Sequence, residues 1–145
     1  MDKLTFLTHT YQQTNTSTTL GEWRVRGLRG ATTVSQNSAQ AIAEAVDELL
    51  NALEVNNPLD PTEIVSVTFS ATSDLDAIFP AAVARRRPGW DQVPLLDVQQ
   101  MQVKGSLKCC IRVLIHFNTH SPQNALRPIY LHGAAQLRPD LAIFS

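Results

Sequence analysis

The stretch "CCIRVLIHF", residues 109–117, decides how this chain folds. Cys109, Ile111, Val113, Ile115 and Phe117 alternate with Cys110, Arg112, Leu114 and His116. A period of two predicts a β-strand whose one face is wholly apolar and must be covered. The opposite face carries an arginine among apolar neighbours. A guanidinium is almost never fully buried without a partner, because taking its charge out of water is expensive. Arg112 therefore needs either water or an anion against it.

Further elements follow on both sides. In "GEWRVRGLRGATTV" (residues 21–34), Trp23, Val25 and the flanking arginines read as a strand that ends at Gly27 or Gly30. "TTVSQNS" supplies N-cap candidates ahead of "AQAIAEAVDELLNALEV". There Ile42, Val46, Leu49, Leu50 and Leu53 share one helical face, and Glu44, Asp47, Glu48 and Glu54 lie largely on the other. "NNPLDP" stops that helix. "EIVSVTFSAT" predicts a second strand, with Val65, Val67 and Phe69 alternating against Ser66 and Thr68. In "SDLDAIFPAAVARRRPGW", Ser73 with Asp76 forms a capping-box pattern, and Pro80 suits the first turn of a helix that Pro88-Gly89 ends. "QVPLLDVQQM" predicts a short third strand, "VKGSLK" a turn into the strand at 109–117, and "PIYL" a last strand. The order β-α-β-α-β-β-β predicts an α+β domain: a mixed β-sheet with two main helices on one face. Two helices cover only one side of such a sheet, so association through the uncovered side is expected.

The whole-chain properties narrow the function. A chain of 145 residues and 16.0 kDa suits one domain with one core. A net charge of -1 gives no global field for nucleic acid or an anionic membrane, and no apolar run has transmembrane length. Cys109 and Cys110 are adjacent on opposite faces, so they form neither a disulfide framework nor a metal ligand set. A reducing cytoplasm is expected, with no metal. Residues 1–21 are rich in Thr and Gln without periodicity and predict a disordered N-terminal extension ahead of a folded domain over 22–145.

Charge is unevenly placed. From Val98 to Pro139 there is no carboxylate, yet Lys104, Lys108, Arg112, Arg127 and Arg138 all lie there. Two more basic clusters are Arg85-Arg86-Arg87 and Arg24, Arg26, Arg29. Local cationic excess on a near-neutral chain fits a small anionic ligand better than a long polyanion. "RGLRGATT", if it leads into a helix, could cradle an anion through backbone N–H groups. There is no Gly-x-Ser-x-Gly, no phosphate-binding loop and no histidine metal pattern; His9, His116, His120 and His132 are scattered. Residue types alone thus reach an α+β oligomer with an arginine-lined anion site.

The motifs "RGLRGATTV", "SATSDLDAIFPAAVAR", "GW" followed by "VPLLDVQQM", "GSLKCCIRVLIH" and "IYLHGAAQLRPDL" resemble the AroH-class chorismate mutases, from about residue 24 to 142. The resemblance implies a homotrimer with a pseudo α/β-barrel arrangement, isomerase activity and a place in the shikimate pathway of aromatic amino acid biosynthesis. Chorismate, a dianion, becomes prephenate by a Claisen rearrangement with no cofactor, at sites between subunits. No proton moves and no covalent intermediate forms, which agrees with the lack of an acid/base pair or nucleophile. Such a site holds the substrate folded and stabilises charge growing on the ether oxygen.

Carried over by position, the resemblance implies that Arg112 reaches the ether oxygen and a carboxylate. Arg29 grips a carboxylate from the first strand–helix turn, and Tyr130 hydrogen-bonds one. Phe79, Ala81 and Arg85 are pocket residues supplied by the neighbouring subunit. Leu137 and Arg138 close the mouth, and Cys110 packs beside the site. Gln100 stands where the family usually has a glutamate facing the ring hydroxyl; Asp97 nearby can supply a carboxylate. A lysine common at the rim is here Ala82. Two alternatives are a trimer that binds chorismate or an aromatic amino acid without turnover, and an enamine/imine deaminase of similar architecture.

Overall fold

In the computed structural model, which describes residues 21–141, the strand carrying Arg112 lies at the centre of a five-stranded sheet. The elements are β1 (Arg24–Thr33), α1 (Ala39–Asn56), β2 (Ile64–Ala71), α2 (Pro80–Arg85), β3 (Leu95–Gln99), β4 (Cys110–Thr119) and β5 (Ile129–Tyr130). Short 3₁₀ turns occupy Pro61–Glu63, Gln123–Ala125 and His132–Gln136. The spatial order is β3-β2-β4-β1-β5. β4 runs antiparallel to both neighbours, and the outer pairs β2–β3 and β1–β5 are parallel. This is the mixed sheet and α+β class that the sequence predicts. The extension expected over residues 1–21 lies, apart from Gly21, outside the described residues, as do positions 142–145.

The period-two pattern of β4 becomes the core. Ile111, Val113, Ile115 and Phe117 are at most 3% exposed, and Ile42, Val46, Leu49, Leu50 and Leu53 of α1 are 0% exposed. Each side chain of this size contributes about 1.5–3 kcal/mol on burial, so the α1–sheet interface outweighs any single polar contact. Ser38 starts the helix: its Oγ accepts the Ala41 N–H at 3.1 Å.

β1 does not stop at Gly27 or Gly30 but runs on to Thr33. Gly30 is there for space. A Cβ on it would stand 3.0 Å from the Ile129 carbonyl oxygen and 3.2 Å from the Leu49 and Leu53 methyls. Any larger residue would push α1 and β5 away from β1. "RGLRGATT" is therefore strand, and the backbone cradle for an anion is not formed.

Three smaller readings change for local reasons. A bulge between Ile64 and Ser66 leaves Val65 44% exposed, so Ile64, Val67 and Phe69 face the core in its place. Ser73 and Asp76 do not cap a helix. Phe79 precedes Pro80 and is held extended (φ -74, ψ 127), so α2 begins at the proline, with no side-chain cap. Asp76 instead accepts from Asn37 Nδ2 at 2.7 Å, while Asn37 Oδ1 accepts the Asp76 and Ala77 N–H groups at 3.0 and 3.1 Å. Cys109 lies just outside β4, at φ 50, and its N–H donates to Asp74 Oδ2 at 3.0 Å. Asp74 is held below the usual carboxylate range, chiefly by the Thr72 hydroxyl and also by the Cys109 N–H, against an opposing desolvation effect.

The far end of α1 is tied to the segment leading into β5 by one buried side chain. Asn57, 8% exposed, donates through Nδ2 to the Leu53 and Arg127 carbonyls, both at 3.0 Å, and accepts the Arg127 N–H at 2.8 Å. Alanine here would strand those backbone groups away from water. Asn57→Ala is expected to lower the unfolding free energy by about 2 kcal/mol or more. Urea denaturation would show it as a lower midpoint at an unchanged slope; an unchanged midpoint would mean the backbone finds other partners.

Candidate active site

The face of the sheet away from α1 carries the polar set. Register aligns Val98, Ser70, Arg112, Ala31 and Tyr130 as one rung across all five strands. A second rung, two residues along, sets Leu96, Thr68, Leu114 and Arg29 side by side. Arg112 is thus flanked by the small Ala31 and Ser70, which leaves a hollow around its guanidinium. The hollow measures about 550 Å³ and is walled by Arg29, Arg112, Tyr130, Leu137 and Arg138. That volume is ordinary for a small-molecule site.

The far wall comes from the carboxy-terminal segment. Leu107, Leu137 and Leu141 pack around Ala31, Tyr130 and Ala134. The turn into this segment is made by His132, at φ 52, whose Nε2 lies 2.9 Å from Glu48 Oε1. Gly133 follows, donating its N–H to Thr33 Oγ1 at 3.1 Å.

Among the described residues, neither Arg29 nor Arg112 forms an ion pair. Arg138 differs: its Nε and Nη2 donate to the two oxygens of Asp140 at 3.1 and 2.9 Å. That hydrogen bond is the largest cause holding the Asp140 carboxyl below its usual range, and Arg29 adds to it through space. The hollow therefore presents two guanidiniums without counter-ions and a third already neutralised, above a tyrosine. Guanidiniums so placed are suited to a small anion with more than one negative group. Cys110 is fully buried, and burial is the first cause pushing its thiol up, which leaves it a packing residue and not a thiolate.

The other residues singled out in the sequence lie elsewhere in the chain. Phe79, 70% exposed, and Asp97 line a second hollow of about 630 Å³ at the β2–α2–β3 end. Asp97 Oδ1 accepts the Ala81 N–H at 3.0 Å. Burial pushes the Asp97 carboxyl up, while the Ala81 N–H and the Arg85 guanidinium pull it down. Ala81 itself is 3% exposed, so its methyl is packed inward. Arg85 stands exposed at the end of α2. Gln100 lines a third hollow with Asp74 and Lys104, and its Oε1 is buried without a partner among the described residues. One chain therefore gathers Arg29, Arg112, Tyr130, Leu137 and Arg138, and leaves Phe79, Ala81, Arg85, Asp97 and Gln100 outside that group. Arg29 projects from within β1, not from a strand–helix turn.

Thr68 and Ser70, which also line the main hollow, carry no signal of chemistry in the sequence. Their alternation with Val67 and Phe69 marks the face opposite the core, and the β2–β4 register then sets them beside Arg112 and Leu114.

Comparison with known proteins adds an independent line. The family model described as chorismate mutase type I matches residues 25–141. Chorismate mutase AroH of Bacillus subtilis (strain 168) is 41% identical over 119 residues, spanning 82% of this chain and 94% of that protein. Chorismate mutase AroH of Thermus thermophilus is 46% identical over 118 residues, 81% of this chain and 96% of that one. A solved chorismate mutase from Clostridium thermocellum superposes with a TM-score of 0.73 at 41% identity, covering 76% of this chain and 97% of its own.

Proposed function

The chain belongs to the chorismate mutase type I family and is a chorismate mutase, and we propose that it converts chorismate to prephenate in pockets shared between copies of itself. The observation that carries the proposal is the pair of guanidiniums, Arg29 and Arg112, on adjacent strands one rung apart, lining one hollow and forming no ion pair among the described residues. Chorismate brings two carboxylates and, as the C–O bond breaks, a third site of negative charge on the ether oxygen. Arg112 stabilises that oxygen and one carboxylate; Arg29 and Tyr130 hold the carboxylates in the folded, near-attack shape. A cation fixed on a central strand loses little orientational freedom when charge develops beside it. Leu137 and Arg138 close the mouth, and the Arg138–Asp140 pair opens to let the guanidinium turn toward substrate.

The assembly we propose is a homotrimer. What supports association is the uncovered sheet face, where Val25, Leu96, Val98 and Leu114 are 42–59% exposed, as though awaiting a neighbour. Phe79, Ala81 and Arg85 then belong to the half-site offered across the boundary, with Ala81 supplying shape through its backbone. Asp97 and Gln100 face the ring hydroxyl, and the orphaned Gln100 Oε1 suits a hydroxyl donor. Residues 22–145 form the catalytic domain. No described helix is long and apolar enough to cross a membrane, and the two cysteines form no disulfide; we place the enzyme in the cytoplasm.

Loss of chorismate absorbance in the ultraviolet, followed with the purified full chain, tests the activity. A first-order loss well above the uncatalysed rate is expected, with prephenate as product. Decay at the uncatalysed rate, with chorismate still bound, would leave a binding protein and overturn the proposal.

A further inference from the structure

The helix that carries Arg85 is six residues long and has no side-chain cap. A single turn and a half is unstable in water by itself, so its surroundings must fix it. Burial of Pro80, Ala81, Val83 and Ala84 holds α2 against the core. Apolar contact is non-directional, however, and does not by itself set where the end of a short helix points.

Direction comes from Arg87, two residues beyond Arg85. Its side chain is 11% exposed. Nη1 donates to Asp47 Oδ1 at 3.3 Å, and Nη2 to Asn51 Oδ1 at 2.9 Å and to the Glu54 carboxylate. Asp47, Asn51 and Glu54 are spaced four and three residues apart, so they form one stripe along α1. The guanidinium carbon also lies 5.8 Å from the ring centroid of Trp90, which is fully buried. On the main chain, the Arg87 N–H donates to the Ala84 carbonyl and the Arg87 carbonyl accepts the Trp90 N–H, both at 3.0 Å. A planar fork held by three acceptors and an indole specifies orientation as well as position, which a point charge would not. Asp47 and Glu54 also neutralise one of three adjacent arginines. Arg85 forms no ion pair among the described residues.

We propose that Arg87 is a positioning residue for the reaction: by locking the end of α2 to the Asp47–Asn51–Glu54 stripe, it sets where the Arg85 guanidinium meets substrate across the subunit boundary. This rests on the reading of Arg85 as a pocket residue. The Arg87 side chain is nearly buried and its guanidinium is turned onto α1 of its own chain, whereas Arg85 is exposed, so Arg87 acts through Arg85 and not by contact with substrate.

A double-mutant cycle on the assembled enzyme tests it, with steady-state chorismate kinetics for Arg87→Lys, Arg85→Ala and the pair. Lysine keeps the charge but not the fork. Arg87→Lys is expected to raise KM about fivefold with kcat within about twofold, and to have no further effect once Arg85 is alanine. Glu54→Gln, which loosens the clamp from the α1 side, should repeat the pattern more weakly and carries the test if Arg87→Lys does not fold. A KM unchanged in Arg87→Lys, or a full fivefold effect persisting on top of Arg85→Ala, would overturn the proposal. An Arg85→Ala enzyme with wild-type KM would instead overturn the reading of Arg85 on which it rests.

Discussion

Arg112→Ala should yield a folded, assembled protein that rearranges chorismate at least 10²–10³-fold more slowly than the parent, on the order of what one preorganised donor is worth at a developing oxyanion. The loss should fall on kcat. The ether oxygen gains charge only as the bond breaks, so the interaction with it is made mainly in the transition state. No proton is transferred in this reaction, so no neighbouring acid or base can take over the task. The fold should be spared, because Arg112 is exposed on the open face of β4 and the core packs on the opposite face. Ala31 and Ser70 on either side are too small to fill the space it leaves. Arg112→Lys should fall between the two, since an ammonium keeps the charge and loses the fork. Initial rates, paired with thermal melts to show an unchanged fold, decide the matter. A loss below about tenfold would mean that conformational restraint alone carries the catalysis, at odds with the role given to charge.

Two impaired variants, mixed, should make a more active enzyme than either when assayed at chorismate concentrations below KM. Arg112→Ala damages the half-site built on the sheet face; Arg85→Ala damages the half-site at α2. If each pocket takes one half from each of two chains, co-assembly of the variants regenerates some wholly native pockets. With random mixing in a cyclic assembly, about one pocket in four receives both native halves, so about a quarter of the parental rate should return. The chains must be unfolded and refolded together, or co-expressed, to exchange. If instead each pocket belonged to one chain, the mixture would be no better than the mean of its parts. Arg29, Arg112 and Tyr130 line one hollow of the chain and Phe79 and Asp97 another, with Arg85 at the exposed end of α2 in neither, and this separation is what makes the experiment worth doing.

Much of the fold was legible in the residues. The alternation in 109–117 gave a strand and its buried face, and the stripe from Ile42 to Leu53 gave α1; both are elements whose period is set by backbone geometry alone. Arg112 stood out because a charge among apolar neighbours is costly, and the carboxylate-free run from Val98 to Pro139 favoured an anion as its partner. The misreadings have a common origin. Gly27 and Gly30 read locally as strand ends, yet Gly30 is required within the strand by the approach of Leu49, Leu53 and Ile129, residues remote in sequence. Ser73 and Asp76 had the spacing of a capping box, but Pro80 delayed the helix and Asn37 engaged that loop. Val65 fell off its expected face because of a bulge, which hydrophobic alternation does not encode. For the site, the resemblance to known enzymes, not periodicity, singled out Arg29, Tyr130 and the α2 residues.

The sequence by itself determined the class of the fold, the central strand with its buried face, the main helix, and the need of Arg112 for a counter-charge. These follow from local periodicity and from the cost of desolvating a charge, which are properties of short segments. Only the tertiary structure decided that β4 is flanked by β1 and β2, that Arg112 therefore lies between Ala31 and Ser70 and one rung from Arg29, and that Tyr130 completes the same row. It also decided that Arg87, one of three arginines in a row, is the one held at the Asp47–Asn51–Glu54 stripe. Strand order and register depend on contacts between residues far apart in the chain, and those are settled by the packing of the whole domain.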